Sequence, residues 1–260
     1  LVHRQKANPA TTPSAKWQTM HVTAKEQMIV VKIDGRQVVA YQDPKPLGRG
    51  FIGLQYRTGK IQFRNIKLRP ICAKSLFNGK DLSGWNTYPN MKSVFSVTEA
   101  GELNVKDGRG QLETKEAFDD FTLQMEVFIA GKHLNSGIFF RCIPGETMNG
   151  YESQIQNGFL DNDRNKPADC GTGGIFRRQN ARRVVADDFT WFFKTIHADD
   201  NHIAVWVNGY QVSDWVDRRK SNPNPRRGLR LEPGTIMIQG HDPTTNISFR
   251  NLRISTLPNR

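Results

Sequence analysis

The feature that most restricts how this chain can fold is an internal repeat. Trp17–Asp43 lies over Trp191–Asp217 without a gap, at a constant offset of 174 residues. Trp17/Trp191, Ala24/Ala198, Ile29/Ile203, Val31/Val205, Gly35/Gly209, Gln37/Gln211, Val38/Val212 and Asp43/Asp217 are identical. Further on, with short insertions, Gln55 matches Gln239 and Phe63-Arg64-Asn65 matches Phe249-Arg250-Asn251. Both copies alternate apolar and polar residues around an Asp-Gly or Asn-Gly turn, the pattern of an antiparallel β-meander. The expected organisation is an irregular segment over 1–16, the C-terminal half of one unit over 17–70, and a linker over 71–75. A complete unit over 76–257 and a tail over 258–260 follow. Four or five strands are expected in the half-unit, the later ones from GFIGLQYR and KIQFRNIKL. A half-sandwich leaves an apolar face and open edges. Its cover is therefore expected from an upstream segment, another chain or the complete domain.

The rest of the chain agrees with an all-β reading. It carries 15 Phe, 5 Trp, 5 Tyr and 22 Gly, with short β-branched runs between turn signals, and no segment longer than a turn has helical periodicity. About a dozen short strands are most simply accommodated by two packed antiparallel sheets. No apolar run reaches the length of a membrane span. The sequence opens at Leu1 without a signal peptide, as expected of a mature product or a fragment. Its 37 Lys and Arg outnumber its 25 Asp and Glu, a formal charge of +12. The excess collects in loops, at Arg177-Arg178, Arg182-Arg183, Arg218-Arg219-Lys220 and Arg226-Arg227. Zinc-finger spacing, RNA-binding strand motifs and basic amphipathic helices are all missing, which argues against a nucleic-acid partner. An acidic glycan or an acidic protein is the expected polyanion. Cys72, Cys142 and Cys170 lack metal-type spacing; Cys142 and Cys170 flank the central stretch, so both a disulfide between them and three reduced thiols fit.

That central stretch is Asn135–Asn157, NSGIFFRCIPGETMNGYESQIQN. Ser136–Arg141 reads as one strand, Cys142–Gly150 as a turn-rich loop and Tyr151–Gln156 as a second strand. Alternation puts Tyr151, Ser153 and Ile155 on one side and Glu152, Gln154 and Gln156 on the other. Three long polar side chains on one face are poor core material unless paired. They are expected on a ligand-facing surface or on a wet outer face of a sheet.

FNGKDLSGW (77–85), NSGIFFR (135–141), GYESQIQN (150–157), TGGIF (172–176), VNG (207–209), IQGH (238–241) and FRNLRI (249–254) occur in the order of one family. The chain resembles the 3-keto-disaccharide hydrolases, which have a concanavalin A-like lectin/glucanase sandwich, or jelly roll. The resemblance spans the complete unit, and its second half spans 17–69. It implies a bacterial exported protein acting on sugars with a site on the concave sheet. Residues carried over by motif are Arg141, Glu152, Gln154 and His241, with Tyr151, Gln239 and Trp191 as further sugar contacts. Where the family shows Lys-Pro-x-Gly-Glu-Trp-Asn, this chain reads Asp188-Phe189-Thr190-Trp191-Phe192-Phe193, keeping only the Trp.

The implied chemistry gives those residue types a reason. In a 3-keto-glycoside the ketone acidifies the C2 hydrogen, so a base removes it, the C1 substituent leaves and water adds. Glu152 and His241 are the expected base and acid, in either order, and Arg141 with Gln154 would bind sugar and stabilise the enolate. A divalent cation such as calcium would also serve the enolate, although FLDNDRN (159–165) is a weak calcium-loop match. An ordinary glycosidase needs two flanking acids, and near Glu152 only the loop residues Glu146, Asp161 and Asp163 offer a second. The competing reading is a non-catalytic glycan-binding or matrix module on the same face.

Overall fold

A computed structural model describes residues 1, 3–10, 16–46, 48, 50 and 52–257. The expected tail over 258–260 and parts of the N-terminal segment lie outside the described residues. The chain divides into two compact units, Leu1–Ile66 and Lys67–Asn259. Among the described residues there is no α-helix.

The first unit holds a three-stranded antiparallel sheet of β1 (Met20–Lys25), β2 (Met28–Ile33) and β3 (Arg36–Gln42). Asp34 and Gly35 both have positive φ, 48° and 81°, the conformation a tight hairpin needs and the reason Gly fits there. The structure has three strands here where four or five were expected. Residues 52–57 and 60–66 form no strand, and Phe51 lies outside the described residues. A strand is defined by the neighbour that takes its hydrogen bonds, and the described part of this unit supplies none for these segments.

The second unit is a sandwich. Its strands are β4 (Lys74–Ser75), β5 (Trp85–Asn86), β6 (Val94–Val97), β7 (Leu103–Lys106), β8 (Gly110–Thr114), β9 (Phe121–Ile129), β10 (Ser136–Cys142) and β11 (Tyr151–Ile155). The remainder are β12 (Trp191–Asp199), β13 (His202–Val207), β14 (Tyr210–Val216), β15 (Thr235–Gly240) and β16 (Asn246–Thr256). One sheet runs β11-β10-β15-β8-β5; the other runs β14-β13-β12-β9-β16-β7-β6, with β4 added on β16. Phe121, Leu123, Met125, Val127 and Ile129 point inward from β9 and meet Ile138, Phe140, Ile236 and Ile238 of the facing sheet. Phe77 and Trp85 of the FNGKDLSGW motif join this core, the Trp85 indole donating to the Leu76 carbonyl at 3.1 Å.

The meander of this unit pairs as the first unit does. Lys194 faces Val207 as Met20 faces Ile33, and the register slips between Val205 and Trp206 as it slips between Val31 and Lys32. Asn208 and Gly209, at φ 50° and 80°, repeat the turn of Asp34 and Gly35.

TGGIFRR (172–178) forms no strand. Gly173 and Arg177 adopt positive φ, which breaks the extension, so the segment clips to the free edge of β11 through isolated bonds: Gly173 N to Gln154 O, Gln154 N to Gly174 O and Phe176 N to Glu152 O. Cys142 and Cys170 are free thiols, so the disulfide is not formed. They serve different neighbourhoods, Cys142 packing with Phe139, Met148 and Met237, and Cys170 donating to the Gln179 carbonyl.

Candidate functional site

Alternation and pairing place the polar face. With Tyr151, Ile155, Ile138, Phe140, Ile236, Ile238 and Leu112 in the core, the other side of the five-stranded sheet carries two rows. One row is Glu152, Phe139, Met237 and Glu113; Gln154 pairs with Gly137, and Gln239 with Gln111, in the next. This face is not a wet surface. Glu152, Gln154, Gln239, Gln111 and Glu113 are all buried. The loop 143–149 folds over its middle, with Met148 buried against Phe139 and Met237. Gln111 binds the loop twice, donating to Glu146 O at 3.2 Å and accepting from Met148 N at 2.7 Å. Arg226 holds Met148 O from the other side, through Nε at 3.1 Å and NH2 at 2.5 Å.

Two buried carboxylates on this face live differently. Glu113 accepts from Thr235 Oγ1 at 2.5 Å, from the Tyr88 hydroxyl and from Gly145 N at 3.2 Å. The Glu152 carboxylate accepts no hydrogen bond from any described residue. Burial pushes its pKa from 4.5 up to about 7, against the lowering fields of Arg226, Lys194 and Arg177 and with some help from Asp169. Its carboxylate lies over Gly137: a Cβ there would come within 2.7 Å of Glu152 Oε1 and 3.1 Å of its Cγ. Gly137 is thus the floor that lets Glu152 lie flat. The side chain borders a cavity of about 70 Å³ lined also by Phe176, Arg177, Arg178 and Arg226.

Beneath β11 sits a residue that the sequence reading passed over. Lys194 is fully buried on the core side of β12, and its ammonium donates to Ser153 O at 3.0 Å and Gln154 O at 2.7 Å. Desolvation lowers its pKa to about 7, with Glu152 pulling it back upward. The clue was available: Lys194 occupies an inward position between Phe192 and Ile196, where the repeat has Met20.

The other expected site residues scatter. Gln154 stays beside Glu152, donating to Asp169 Oδ2 at 2.9 Å and leaving its own Oε1 buried without a partner. Gln239 sits nearer the loop, its amide on Met148 Sδ at 3.2 Å and its Oε1 likewise unpartnered. His241 lines a different cavity, of about 540 Å³, with Met91, Lys92, Arg109, Met148 and Asp242, and its Nδ1 is 3.0 Å from Asp242 Oδ2. Glu152 and His241 thus border different cavities. Tyr151 faces the core, stacked on Phe140, with its hydroxyl on Asp217 Oδ2 at 2.8 Å. Trp191 pairs with Phe128 on the outer face of the other sheet, under the Arg250 guanidinium at 4.0 Å. Arg141 bends away at a bulge with φ 48°, is 1% exposed, and binds Asp120 Oδ1 at 2.6 Å along with the carbonyls of Asp200 and Arg230. Period-2 alternation fails at a bulge, so Arg141 leaves the face that its strand position assigns to it.

For a cation, Asp120, Asp199 and Asp200 form the one acidic cluster of suitable spacing among the described residues. Asp120 is already engaged by Arg141 and by Asp200 N at 2.8 Å, so the group reads as an ion-paired knot. In FLDNDRN, the weak calcium-loop match, Asp161 accepts from Lys166 and Asp163 from Asn165.

A two-sheet jelly roll of the concanavalin A type, with one bare carboxylate on the polar face of its five-stranded sheet, defines the class. The sequence pattern of the 3-keto-alpha-glucoside-1,2-lyase-like domain matches residues 2–69 and 73–255, and the chain belongs to that family. Three solved structures from Parabacteroides distasonis ATCC 8503, described as candidate glycosyl hydrolases, share the fold. One is 19% identical, with TM-score 0.56, over 72% of this chain and 94% of its own. The second is 24% identical with TM-score 0.55 over 71% and 99%, and the third 23% with 0.54 over 81% and 100%. No curated protein matches the chain.

Proposed function

We propose that this protein cleaves glycosides by elimination, with Glu152 as the base that takes the C2 proton of a 3-keto sugar. The observation that carries the reading is a buried carboxylate without a hydrogen bond, held near pKa 7 beside three arginines. A base poised near neutrality combines a populated ionised form with useful basicity. As Glu152 takes the proton, the C2–H electron pair forms an enolate on the C3 ketone, and the C1–O bond then breaks. The departing oxygen takes its proton from water, and hydration of the enone completes the cleavage. Arg177, Arg178 and Arg226 border the same cavity and would offset the enolate charge.

A two-carboxylate glycosidase fits less well. Glu113 and Glu152 lie three strand spacings apart, roughly 14 Å at the backbone, with the Met148 loop between them. Two such acids must flank one bond, and the Glu113 carboxylate is instead engaged by Thr235, Tyr88 and Gly145. One observation favours the binding-module reading instead: about 70 Å³ beside Glu152 is small against the several hundred that sugar-sized ligands occupy. The arginines extend the proposal to acidic glycans, and the family resemblance extends it to an exported location, which cell fractionation would check. No helix among the described residues is long and apolar enough to cross a membrane.

The test compares wild type and Glu152→Gln on the 3-keto and unoxidised forms of one disaccharide. Turnover of the keto form alone, falling by roughly 10²–10⁴ in the variant, is the expected result. Equal turnover by both proteins removes Glu152 from the chemistry. Sugar binding without turnover in either protein selects the binding module.

A further inference from the structure

The first unit carries half of a clamp whose other half is visible in the second unit. In the sandwich, Glu126 of β9 accepts from Arg250 Nε at 2.9 Å and NH2 at 2.7 Å, and from Asn251 Nδ2 at 2.6 Å. Arg250 lies over Trp191, and Asn251 has φ 52°. The first unit repeats every one of these parts except the glutamate. Arg64 lies 3.9 Å over Trp17, and Asn65 has φ 54°. No carboxylate of a described residue forms an ion pair with Arg64.

The strand neighbours are missing together with the acid. β9 runs between β12 and β16, and β1 is the counterpart of β12 while 60–66 is the counterpart of β16. Val22, Ile52, Leu54, Ile61, Phe63 and Ile66 are 47–77% exposed. Their counterparts Ile196, Ile236, Ile238, Ile247, Phe249 and Leu252 are at most 2% exposed. Exposed apolar residues beside an open strand edge are a docking surface for another strand.

We propose that the first unit is an acceptor for a β9-type strand, supplied by the N-terminal half of a sandwich of this same family. The strand enters between β1 and 60–66, sets a glutamate against Arg64 and Asn65, and points alternate apolar side chains at Val22, Ile61 and Phe63. A second copy of this chain is a poor donor, because its own β9 is hydrogen-bonded on both edges and its inward side chains are buried. Residues 1–66 hold 11 Lys and Arg against 3 Asp and Glu, which suits an acid-bearing occupant.

The probe is a fluorescent peptide with the sequence of Phe121–Ile129, titrated onto the full chain, alongside a peptide with lysine in place of the glutamate. We expect saturable binding of the first, new amide-exchange protection over 52–66, and roughly 5-fold weaker binding of the second, as for a half-exposed charge clamp worth about 1 kcal/mol. Arg64→Glu in the chain should invert that preference. Equal binding of both peptides, no saturable binding, or self-association of the chain that the peptide leaves intact would each overturn the proposal.

Discussion

Replacing Glu152 with Gln should inactivate the protein while its stability gains on the wild type as pH rises from about 4.5 to about 7. The carboxyl titrates at about 7 when folded against 4.5 in its ordinary state, so the folded protein holds that proton more tightly than the unfolded chain. The group therefore stabilises the fold fully below about pH 4.5, and its contribution is lost as pH rises to about 7. At about 1.4 kcal/mol per pH unit, the difference comes to about 3 kcal/mol. Glutamine cannot ionise, so its stability has no such slope. It does bury an amide where Glu152 found no partner, a cost of roughly 1–3 kcal/mol that does not vary with pH. The diagnostic quantity is thus the change in the wild-type-to-variant gap, measured by urea unfolding at about pH 4 and about pH 8.5, and the gap should move by about 3 kcal/mol in favour of the variant at the higher pH. Parallel stability curves would mean that Glu152 is solvated, and the argument for a tuned base would go with it.

Three further perturbations separate roles that the fold brings close together. Gly137→Ala should push Glu152 off its floor and lower turnover with little loss of melting temperature; unchanged turnover would deny the contact any catalytic weight. Lys194→Met removes a positive charge that holds the Glu152 pKa down, so the acid limb of the pH–rate profile should move to higher pH, and a shift the other way would refute the coupling. Arg141→Ala breaks a buried ion pair with Asp120 and should cost roughly 3–5 kcal/mol in unfolding free energy. A raised KM with unchanged stability would return Arg141 to the sugar site.

The strands of the sandwich were legible because one face of each is buried, which writes period 2 into residues such as Phe121–Ile129. The face of Glu152 was legible for the same reason: Glu152, Gln154 and Gln156 could not share a side with Tyr151 and Ile155. Its burial was not, because it depends on the loop 143–149 folding back over the sheet, a long-range event without a local pattern. GFIGLQYR has the same alternation as TIMIQG, yet pairing requires neighbours that alternation does not encode. His241 and Trp191 follow family motifs in order along the chain, but order does not say which cavity or which sheet face a side chain reaches. Arg141 was misplaced by a single bulge.

The loop that seats Met148 also decides how a sugar chain can approach. It crosses the middle of the polar face, with the Glu152 cavity on one side and the His241 cavity on the other. A long glycan lying flat across both would have to lift the loop, and that means giving up two bonds from Arg226, two with Gln111 and the burial of a methionine. With the loop in place the space beside Glu152 is about 70 Å³, room for the reacting edge of a terminal sugar and not for a whole chain. On the proposed reading, that partition would favour chain ends over chain interiors.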